Sequence, residues 1–486
     1  MQLQSFIDGR WQSGTGTPIA LRDATTGEVI ANASADGLDF SASLTYAREV
    51  GGPNLRRLTF HDRAALLKTL AKHLTGKKEE LYTLSYATGA TKSDSWIDID
   101  GGIATLFVYA SKGMRELPDA HVYMDGATES LSKSGGFLGQ HICVPLEGAA
   151  VHINAFNFPV WGMLEKLAPT FLAGVPAIVK PATATAYLTE LAVRRIIESG
   201  ILPEGSLQLI CGSVGNLFDH LTCQDVVAFT GSASTARKLR THSSVIDHSV
   251  RFTAETDSLN SCVLGPDAAP GTPEFDLFVR EVAHEMTAKA GQKCTAIRKA
   301  IVPAAIAADV VEALKTALGK VVLGNPRLEQ VRMGPVASLA QRREVLAQLA
   351  KLAREAEVVC GNRQQLELAG ADADRGAFIA PTLLYCKDST RAAAIHEIEA
   401  FGPVCTVVPY EGLDSAITLA RRGAGSLVGS VFTGDDGIAA KLVILRGVKG
   451  GRSPFAVRPG LVLHHPDGGF TDEADSILRG GVAFSI

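Results

Sequence analysis

Between residues 148 and 255 the chain alternates short apolar runs with longer stretches of helical periodicity. This alternation is typical of parallel strands joined by crossover helices. A helix is predicted over about 185–199, where apolar residues recur at helical spacing before a glycine. The five predicted strands are 149–153, 177–180, 207–211, 226–229 and 250–254. The sequence therefore predicts an α/β fold built on a parallel sheet.

All five predicted strands end in a polar residue or a glycine. In open parallel sheets, ligands bind beyond the carboxyl ends of the strands. Each residue alone could simply form a turn, but five such ends together favour a phosphate-bearing ligand. The residues concerned are Asn154 and Asn157, Lys180, Gly212 and Gly215, Thr230 with Gly231 and Ser232, and Glu255.

One cysteine lies just downstream of this segment, after a well-marked helix. Thr272 is the predicted N-cap of that helix, Pro273 its first residue and Gly291 its C-terminal stop. Cys294 then falls on the following connection. An isolated cysteine is more often a buried apolar residue, but a thiol beside a nucleotide site indicates thiol-based oxidoreduction. Its neighbour Lys293 is expected to be exposed, because adjacent side chains of an extended segment point apart.

Composition excludes several classes of protein. The 486 residues exceed one core, so two or three domains are expected. A net charge of −4 argues against a nucleic-acid or anionic-membrane partner. The eight cysteines form no Cys-x-x-Cys pair, so neither a disulfide framework nor a metal site is expected. Neither an export signal nor a membrane-spanning stretch is recognised, which makes a cytoplasmic protein the default expectation.

Five short motifs together resemble the successive signatures of the aldehyde dehydrogenase superfamily, in the family's order, and the match spans most of the chain. The amino-acid sequence at 154–166 and 291–298 is similar to that of a narrower bacterial group of these enzymes. That group oxidises CoA-linked semialdehydes, such as 3,4-didehydroadipyl-CoA semialdehyde, in aerobic benzoate and phenylacetate breakdown. The motifs are Ala-Phe-Asn-Phe-Pro at 155–159, Val-Lys-Pro-Ala at 179–182, Phe-Thr-Gly-Ser at 229–232, Gly-Gln-Lys-Cys at 291–294 and Glu-Ala-Phe-Gly-Pro at 399–403.

The resemblance implies a catalytic set. Cys294 would be the nucleophile, and the Asn157 side chain with the Cys294 backbone N–H would bind the oxyanion. From the residues alone, Asn157 could instead be a helix N-cap, since Pro159 and an apolar run follow. Glu255 would be the general base. Lys166 would relay protons from it, with a helix-surface lysine as the alternative.

The sequence departs from the family after Glu255. The family usually continues Leu-Gly-Gly-Lys, whereas this chain has Thr-Asp-Ser-Leu at 256–259. The loss of both glycines is expected to move the backbone beneath the carboxylate.

The resemblance also implies a dinucleotide cofactor. Lys180 would hold the adenosine ribose, and Ser232, at a helix start, would bind the pyrophosphate. Glu399 and Phe401 would position the nicotinamide ribose and ring. The other candidate cofactor residues are Asn154, Gly212, Gly215 and Gly231.

A single position bears on the choice between NADP and NAD. Strict NAD enzymes of the family often have a glutamate three residues after the lysine, and this chain has Thr183. A carboxylate there would repel a 2′-phosphate, whereas a hydroxyl can donate to it. We therefore expect NADP to be preferred, with NAD as a weaker alternative.

The resemblance implies an aldehyde dehydrogenase-like architecture with a Rossmann-type cofactor domain, an α/β catalytic domain and a small strand element. The expected cofactor domain comprises 1–114 and 146–255, and the catalytic domain 256–440. Residues 115–145 and 441–486 would form the oligomerisation element and tail, pairing subunits into a homodimer.

Three functions follow from these residues. The first is NAD(P)-dependent oxidation of an aldehyde, such as a CoA-linked semialdehyde from aromatic degradation, to the free acid through a cysteine thiohemiacetal and thioester. The second is CoA-acylating oxidation, in which free CoA releases the thioester; relatives of that type commonly lack the glutamate at 255. The third is a catalytically silent member with a structural role.

Overall fold

The computed structural model describes residues 1–361, 366–423 and 425–442. The helices are α1 Phe40–Tyr46, α2 Gly52–Arg56, α3 Phe60–Thr75, α4 Lys78–Ser85, α5 Lys92–Glu116, α6 Trp161–Leu172, α7 Ala186–Glu198, α8 Ala233–Arg240, α9 Ser243–Asp247, α10 Pro273–Thr287, α11 Ala307–Gly319, α12 Leu339–Leu352, α13 Ala394–Glu397, α14 Leu413–Arg421 and α15 Asp436–Leu442. The strands are β1 Ser5–Ile7, β2 Arg10–Gln12, β3 Ile19–Arg22, β4 Val29–Ala33, β5 Tyr123–Ser130, β6 Leu138–Cys143, β7 Ala150–Ile153, β8 Ala177–Lys180, β9 Leu207–Leu209, β10 Val226–Thr230, β11 Arg251–Glu255, β12 Ser261–Leu264, β13 Lys299–Pro303, β14 Glu357–Cys360, β15 Thr382–Tyr385, β16 Val404–Tyr410 and β17 Gly429–Phe432.

The first sheet contains all five predicted strands, in the order β11-β10-β7-β8-β9-β1-β2. Strands β7 to β11 are parallel, and the hairpin β1-β2 adds an antiparallel edge. The parallel part of the sheet begins with β7 in the middle. The chain then adds β8 and β9 on one side of β7, and β10 and β11 on the other side. The strand order therefore reverses between β7 and β10, where doubly wound sheets bind their ligands. The predicted α/β fold with a parallel sheet is confirmed.

The strand ends differ slightly from the prediction. Lys180, Thr230 and Glu255 are the last residues of their strands, whereas β9 ends at Leu209, two residues early. The backbone of each of these three residues is therefore fixed by strand pairing. Gly212 lies three residues beyond its strand, on a loop.

A helical layer covers the first sheet. Helix α3 begins with a capping box, in which Thr59 and Asp62 each accept the other's backbone N–H. Leu67 of α3, Leu106 of α5 and Phe171 of α6 are all buried in one apolar cluster with the sheet.

The second sheet has the order β14-β15-β16-β13-β12-β17 and is parallel except at the β14-β15 pair. Helix α10 connects β12 to β13, and its apolar face, including Phe278 and Val282, is buried against that sheet. Cys294 follows α10 on the way into β13.

The predicted end of α10 was wrong. The helix stops at Thr287, and Ala288–Gly291 form a short 3-10 turn. Lys289 and Ala290 have φ of +53° and +51°, in a region that residues with a Cβ rarely adopt. Gly291 also has positive φ, and a Cβ there would lie 2.2 Å from the carbonyl oxygen of Gly402. The turn before the thiol thus depends on a close backbone contact as well as on chain reversal.

The predicted excursion at 115–145 contains a two-stranded antiparallel sheet, β5-β6, that pairs with no other strand of the described chain. The expected tail lies outside the described residues from position 443 onward. No helix among the residues that the structure describes is long and apolar enough to cross a membrane. The division into domains stays a prediction.

Arg63 links three segments of the helical layer, which gives a stability prediction. Its fully buried guanidinium donates to the carbonyl oxygens of Leu172 at 2.9 Å, Leu55 at 3.0 Å and Leu58 at 2.8 Å. Arg63→Ala leaves these buried acceptors without donors, so we expect the free energy of unfolding in urea to fall by about 3–5 kcal/mol. The control Arg115→Ala removes a mostly exposed side chain and should change it by less than about 0.5 kcal/mol. Equal losses in the two variants would contradict this account of Arg63.

Candidate active site

Cys294 is half-buried on the connection between α10 and β13, and the Glu255 carboxylate is near enough to influence its thiol. Burial raises the pKa of the Cys294 thiol to about 12, and the charge and hydrogen bond of Glu255 contribute to the rise. The thiol is therefore protonated at neutral pH, with a carboxylate nearby that could accept its proton. Such a thiol can become a nucleophile when its proton passes to the carboxylate during attack.

Glu255 is positioned by the sheet. It pairs with Thr230 across the parallel strands β10 and β11, and its carbonyl oxygen accepts the backbone N–H of Gly231 at 3.1 Å. The strand register therefore fixes the backbone beneath the carboxylate. The side chain leaves the sheet at its carboxyl edge, the edge that the sequence analysis assigned to ligands.

Asn157 lies close to the thiol loop. Its amide nitrogen donates to the carbonyl oxygen of Gln292, two residues before Cys294, at 3.0 Å. An amide nitrogen has two protons, so the second can serve a ligand. The alternative interpretation of Asn157 as a helix N-cap was wrong, because α6 begins at Trp161 with Val160 as its N-cap residue.

The carbonyl of Cys294 is held by a residue that the sequence analysis missed. The side-chain nitrogen of Asn260 donates to the carbonyl oxygens of Cys294 at 2.8 Å and Ala296 at 3.0 Å. The Ser258 hydroxyl donates to the oxygen of the same Asn260 amide at 2.7 Å. The segment that departs from the family pattern thus leads directly into the support of the thiol loop.

Glu399 is anchored by two protein contacts. One carboxylate oxygen accepts the guanidinium of Arg298 at 3.1 Å, and the other accepts the backbone N–H of Ser258 at 2.9 Å. Burial raises the pKa of Glu399, and the charge of Arg298 opposes that rise. Because a carboxylate has about four acceptor positions, Glu399 can still accept a ligand hydroxyl.

Phe401 connects the Glu399 loop to the Asn157 loop. Its ring meets that of Phe156 edge-on, with centroids 5.8 Å apart, and the Arg298 guanidinium lies 5.4 Å from the Phe401 centroid. The structure therefore brings the motifs at 155–159, 291–294 and 399–403 together.

Unpartnered polar atoms occur where the strand order reverses. Both polar atoms of the buried Asn154 amide and the Thr230 hydroxyl lack a hydrogen-bond partner within the described chain. They follow or end the adjacent strands β7 and β10. Lys180 ends the next strand, and burial lowers the pKa of its ammonium group. Donors and acceptors left unsatisfied at this edge fit a dinucleotide with ribose hydroxyls and phosphates.

Ser232 is the N-cap of α8, as predicted for a helix start. Its hydroxyl accepts the backbone N–H of Thr235 at 3.4 Å. The first N–H of the helix, that of Ala233, donates to the carboxylate of Asp257 at 3.0 Å. An acidic side chain thus occupies part of the helix end that the resemblance assigns to pyrophosphate.

The predicted cofactor glycines are constrained by their own chain. A Cβ on Gly212 would lie 2.6 Å from the backbone nitrogen of Ala35, and one on Gly215 would lie 2.7 Å from the Phe40 ring. Gly231 is similarly close to the Phe229 ring. Thr183 begins a 3-10 turn directly beyond β8. The cofactor roles of all four residues stay predictions.

Two lysines near the site are mostly buried. Lys293 was expected to be exposed, but only 13% of its side chain is accessible and it forms an ion pair with Glu285 at 2.6 Å. The expectation failed because the preceding turn directs this side chain back onto α10. Lys166 forms an ion pair with Glu165 at 3.0 Å, and its role as a proton relay stays a prediction.

The residues missed from the sequence are Gln292, Asn260, Ser258 and Arg298. Each is a buried or nearly buried polar residue next to a motif. For Ser258 and Asn260, the polar residues at 256–260 are a signal that could have indicated them; Gln292 and Arg298 have no such local signal.

The comparisons with known proteins agree with this geometry. The model of the aldehyde dehydrogenase family matches residues 11–445. The chain is 47% identical over 444 residues to 3,4-dehydroadipyl-CoA semialdehyde dehydrogenase of Aromatoleum evansii, covering 91% of this chain and 86% of that one.

Solved structures give the same fold. Betaine aldehyde dehydrogenase of Staphylococcus aureus, in complex with NAD+, has a TM-score of 0.79 at 23% identity, covering 90% of this chain and 85% of that one. Aldehyde dehydrogenase C of Pseudomonas syringae, with NAD+ and octanal, has a TM-score of 0.76 at 22% identity, covering 90% and 87%. This chain belongs to the aldehyde dehydrogenase family and is an NAD(P)-dependent enzyme that oxidises aldehydes.

Proposed function

We propose that this enzyme oxidises a CoA-linked semialdehyde to the free carboxylic acid, with NADP as the preferred cofactor. Cys294 would be the nucleophile, Glu255 the general base and Asn157 an oxyanion donor. The observation that carries the proposal is the convergence of three motifs on one site: the Asn157 amide bonds to the Cys294 loop, and the Glu255 carboxylate is near enough to the thiol to raise its pKa. Release of a free acid requires a base near the thioester, and Glu255 is the carboxylate in that position.

The first step would be addition of the thiol to the aldehyde carbon. The thiol proton passes to Glu255 while a negative charge develops on the former carbonyl oxygen. The free N–H of the Asn157 amide and the backbone N–H of Cys294 bind that oxyanion; losing one such donor typically costs about 3 kcal/mol of transition-state stabilisation. The Gln292 carbonyl keeps the Asn157 amide oriented for this role.

The later steps use the same residues again. When bound, NAD(P) supplies the hydride acceptor that is needed to convert the thiohemiacetal into the thioester. Glu255 first releases the thiol proton to solvent and, again ionised, takes a proton from the water that attacks the thioester carbon, while the oxyanion donors act a second time. The Cys294 thiolate leaves and is reprotonated.

The cofactor would lie across the carboxyl ends of β7, β8 and β10. Lys180 and Thr183 would bind the adenosine ribose and its 2′-phosphate, and Asn154 with Gly212 and Gly215 would border the adenosine half. Ser232 and Gly231 would meet the pyrophosphate at the α8 end. Glu399 and Phe401 would position the nicotinamide ribose and ring.

The hairpin β5-β6 supports pairing of two subunits through this element. Met124, Leu138 and Ile142 on it are at least half exposed. An isolated two-stranded hairpin is marginally stable in water, so a second copy of the chain would cover it. We propose a homodimer on this basis.

The eight free cysteines suit a reducing compartment. We propose that the enzyme works in the cytoplasm.

Glu255→Gln should have opposite effects on thiol alkylation and on turnover. Removing the carboxylate charge lowers the pKa of Cys294 toward its ordinary value, although burial keeps it above that value, so the thiolate fraction at pH 8 rises. We expect iodoacetamide to alkylate the cofactor-free variant severalfold faster than the wild type, while kcat for aldehyde oxidation falls by about a hundredfold or more. Glu274→Gln, on the first turn of α10, is the matched control and should change neither rate. If the alkylation rate and kcat of Glu255→Gln changed in the same direction, the proposed role of Glu255 as the base would be wrong.

Thr183→Glu should reverse the cofactor preference. A carboxylate about 4 Å from a phosphate charge costs several kcal/mol at an effective dielectric near 20. We expect the wild type to have the higher kcat/KM with NADP, and the variant to lose at least tenfold with NADP while retaining activity with NAD. Thr183→Ser, which keeps the hydroxyl, is the control. Equal or better efficiency of the wild type with NAD would overturn the proposed preference.

A substrate panel tests the proposed reaction. With NADP in excess, we expect kcat/KM for a CoA-linked semialdehyde to exceed that for hexanal by at least tenfold, and the product to be the free acid whether or not CoA is added. A CoA-acylating enzyme would instead form an acyl-CoA only in the presence of CoA, and would keep forming it after Glu255→Gln. Absence of reduced cofactor with every aldehyde would favour a catalytically silent protein.

A further inference from the structure

One helix outside the catalytic motifs holds both loops of the proposed oxyanion site. The first two turns of α5 carry Asp94 and Asp98, four residues apart and therefore on one face of the helix. Both carboxylates are buried, Asp98 completely. Burying a carboxylate is unfavourable unless donors satisfy it, so the partners of these two residues explain why they are there.

Asp94 holds the loop that carries the thiol. One of its oxygens accepts the backbone N–H and the hydroxyl of Thr91, which completes the capping box of α5. The other accepts the backbone N–H of Lys289 at 2.7 Å. Lys289 is the first residue of the left-handed turn that leads to Cys294, so Asp94 stabilises a conformation that the chain would not adopt by preference.

Asp98 holds the loop that carries Asn157. One of its oxygens accepts the backbone N–H groups of Val160 at 3.1 Å and Trp161 at 2.8 Å, at the start of α6. Asn157 lies three residues before Val160. The acceptor that α6 needs at its N-terminus therefore comes from another helix.

The ammonium group of Lys289 lies beside both carboxylates. It is buried, donates to the Thr88 hydroxyl at 3.2 Å and is attracted by Asp98 and Asp94, while burial lowers its pKa. Burial also raises the pKa of Asp98 to about 6, against the opposing charge of Lys289. The backbone of Lys289 thus binds Asp94, while its side chain bonds to Thr88 and its charge acts on both carboxylates.

Two further hydrogen bonds close a ring. The Gln292 amide nitrogen donates to the Lys289 carbonyl at 2.9 Å, and the Gln292 carbonyl accepts the Asn157 amide at 3.0 Å. The sequence of contacts runs from Asp94 through Lys289 and Gln292 to Asn157, and from there through Val160 back to Asp98. Both oxyanion donors, the Asn157 amide and the Cys294 backbone N–H, are attached to this ring.

We propose that Asp94 and Asp98 are positioning residues that set the distance between the Asn157 amide and the Cys294 backbone N–H. The inference rests on the proposed function, because it assumes that these two groups bind the oxyanion. A displacement of about 1 Å at a reacting centre can lower a rate by about a hundredfold. Residues that hold two donors in register should therefore influence every step that forms an oxyanion, and no step that does not.

The test compares two reactions of the same thiol. Acylation of Cys294 by p-nitrophenyl acetate forms an oxyanion, whereas alkylation by iodoacetamide displaces iodide without one. For Asp98→Ala and Asp94→Asn in the full-length, cofactor-free enzyme, we expect acylation to slow by about 10- to 100-fold and alkylation to stay within about twofold of the wild type. In steady state, kcat should fall with little change in the KM for the cofactor.

Two control variants isolate the role. Asp98→Asn keeps an oxygen that can accept both N–H groups of α6, so it should recover most of the acylation rate lost in Asp98→Ala. Asp62→Ala removes the equivalent capping-box carboxylate from α3, away from the site, and should leave both thiol reactions unchanged.

Each outcome decides between explanations. If acylation and alkylation fall together, the carboxylates act on the thiol or on folding and the positioning role is wrong; it is equally wrong if neither rate falls. If Asp98→Ala does not fold, the acylation and alkylation rates of Asp94→Asn test the proposal instead. In that variant one of the two acceptor oxygens becomes an NH₂ group, so the bond to Thr91 or the bond to Lys289 is lost. If Asn157→Ala leaves acylation unchanged, the oxyanion site itself is misassigned, which is a failure of the proposed function.

Discussion

The hydrogen bond from the Asn157 amide to the Gln292 carbonyl joins two parts of the molecule that are built on different sheets. Asn157 follows β7 of the first sheet, and Gln292 precedes β13 of the second. The first sheet contributes Glu255 and Asn157, and the second contributes the loop that carries Cys294. The site exists only where the loops of the two sheets meet, and the edge-on contact of Phe156 with Phe401 supports the same junction.

Charge at this junction is distributed so that the thiol remains protonated until a substrate is present. The charge of Glu255 raises the pKa of the Cys294 thiol, whereas the nearest lysine in sequence, Lys293, is paired with Glu285. Loss of the thiol proton therefore depends on a base, which is the role proposed for Glu255. A protonated resting thiol also reacts more slowly with oxidants, because the thiolate is the reactive form.

The sequence was sufficient for the elements and insufficient for their long-range contacts. Strands β7 to β11 and helices α3, α7 and α10 were predictable because apolar periodicity, caps and glycines act over a few residues. Asn157 bonds to a residue 135 positions away, and Asp98 serves the start of α6 from 62 positions away. No local pattern indicates such partners, so the N-cap interpretation of Asn157 failed. The exposure of Lys293 was mispredicted for the same reason, since the turn at Lys289 and Ala290 is held by Asp94 of α5.

The segment after Glu255 explains how this chain manages without the two family glycines. Asp257 accepts the Ala233 N–H at the start of α8, Ser258 donates its backbone N–H to Glu399, and Asn260 supports the carbonyl of Cys294. Side chains therefore fix a backbone that small residues would otherwise leave free. The arrangement also has an electrostatic side, because the Asp257 carboxylate accepts the first N–H of the helix end proposed for the pyrophosphate. Through residues 257–260, that helix end, the Glu399 carboxylate and the carbonyl of Cys294 are held by one short segment.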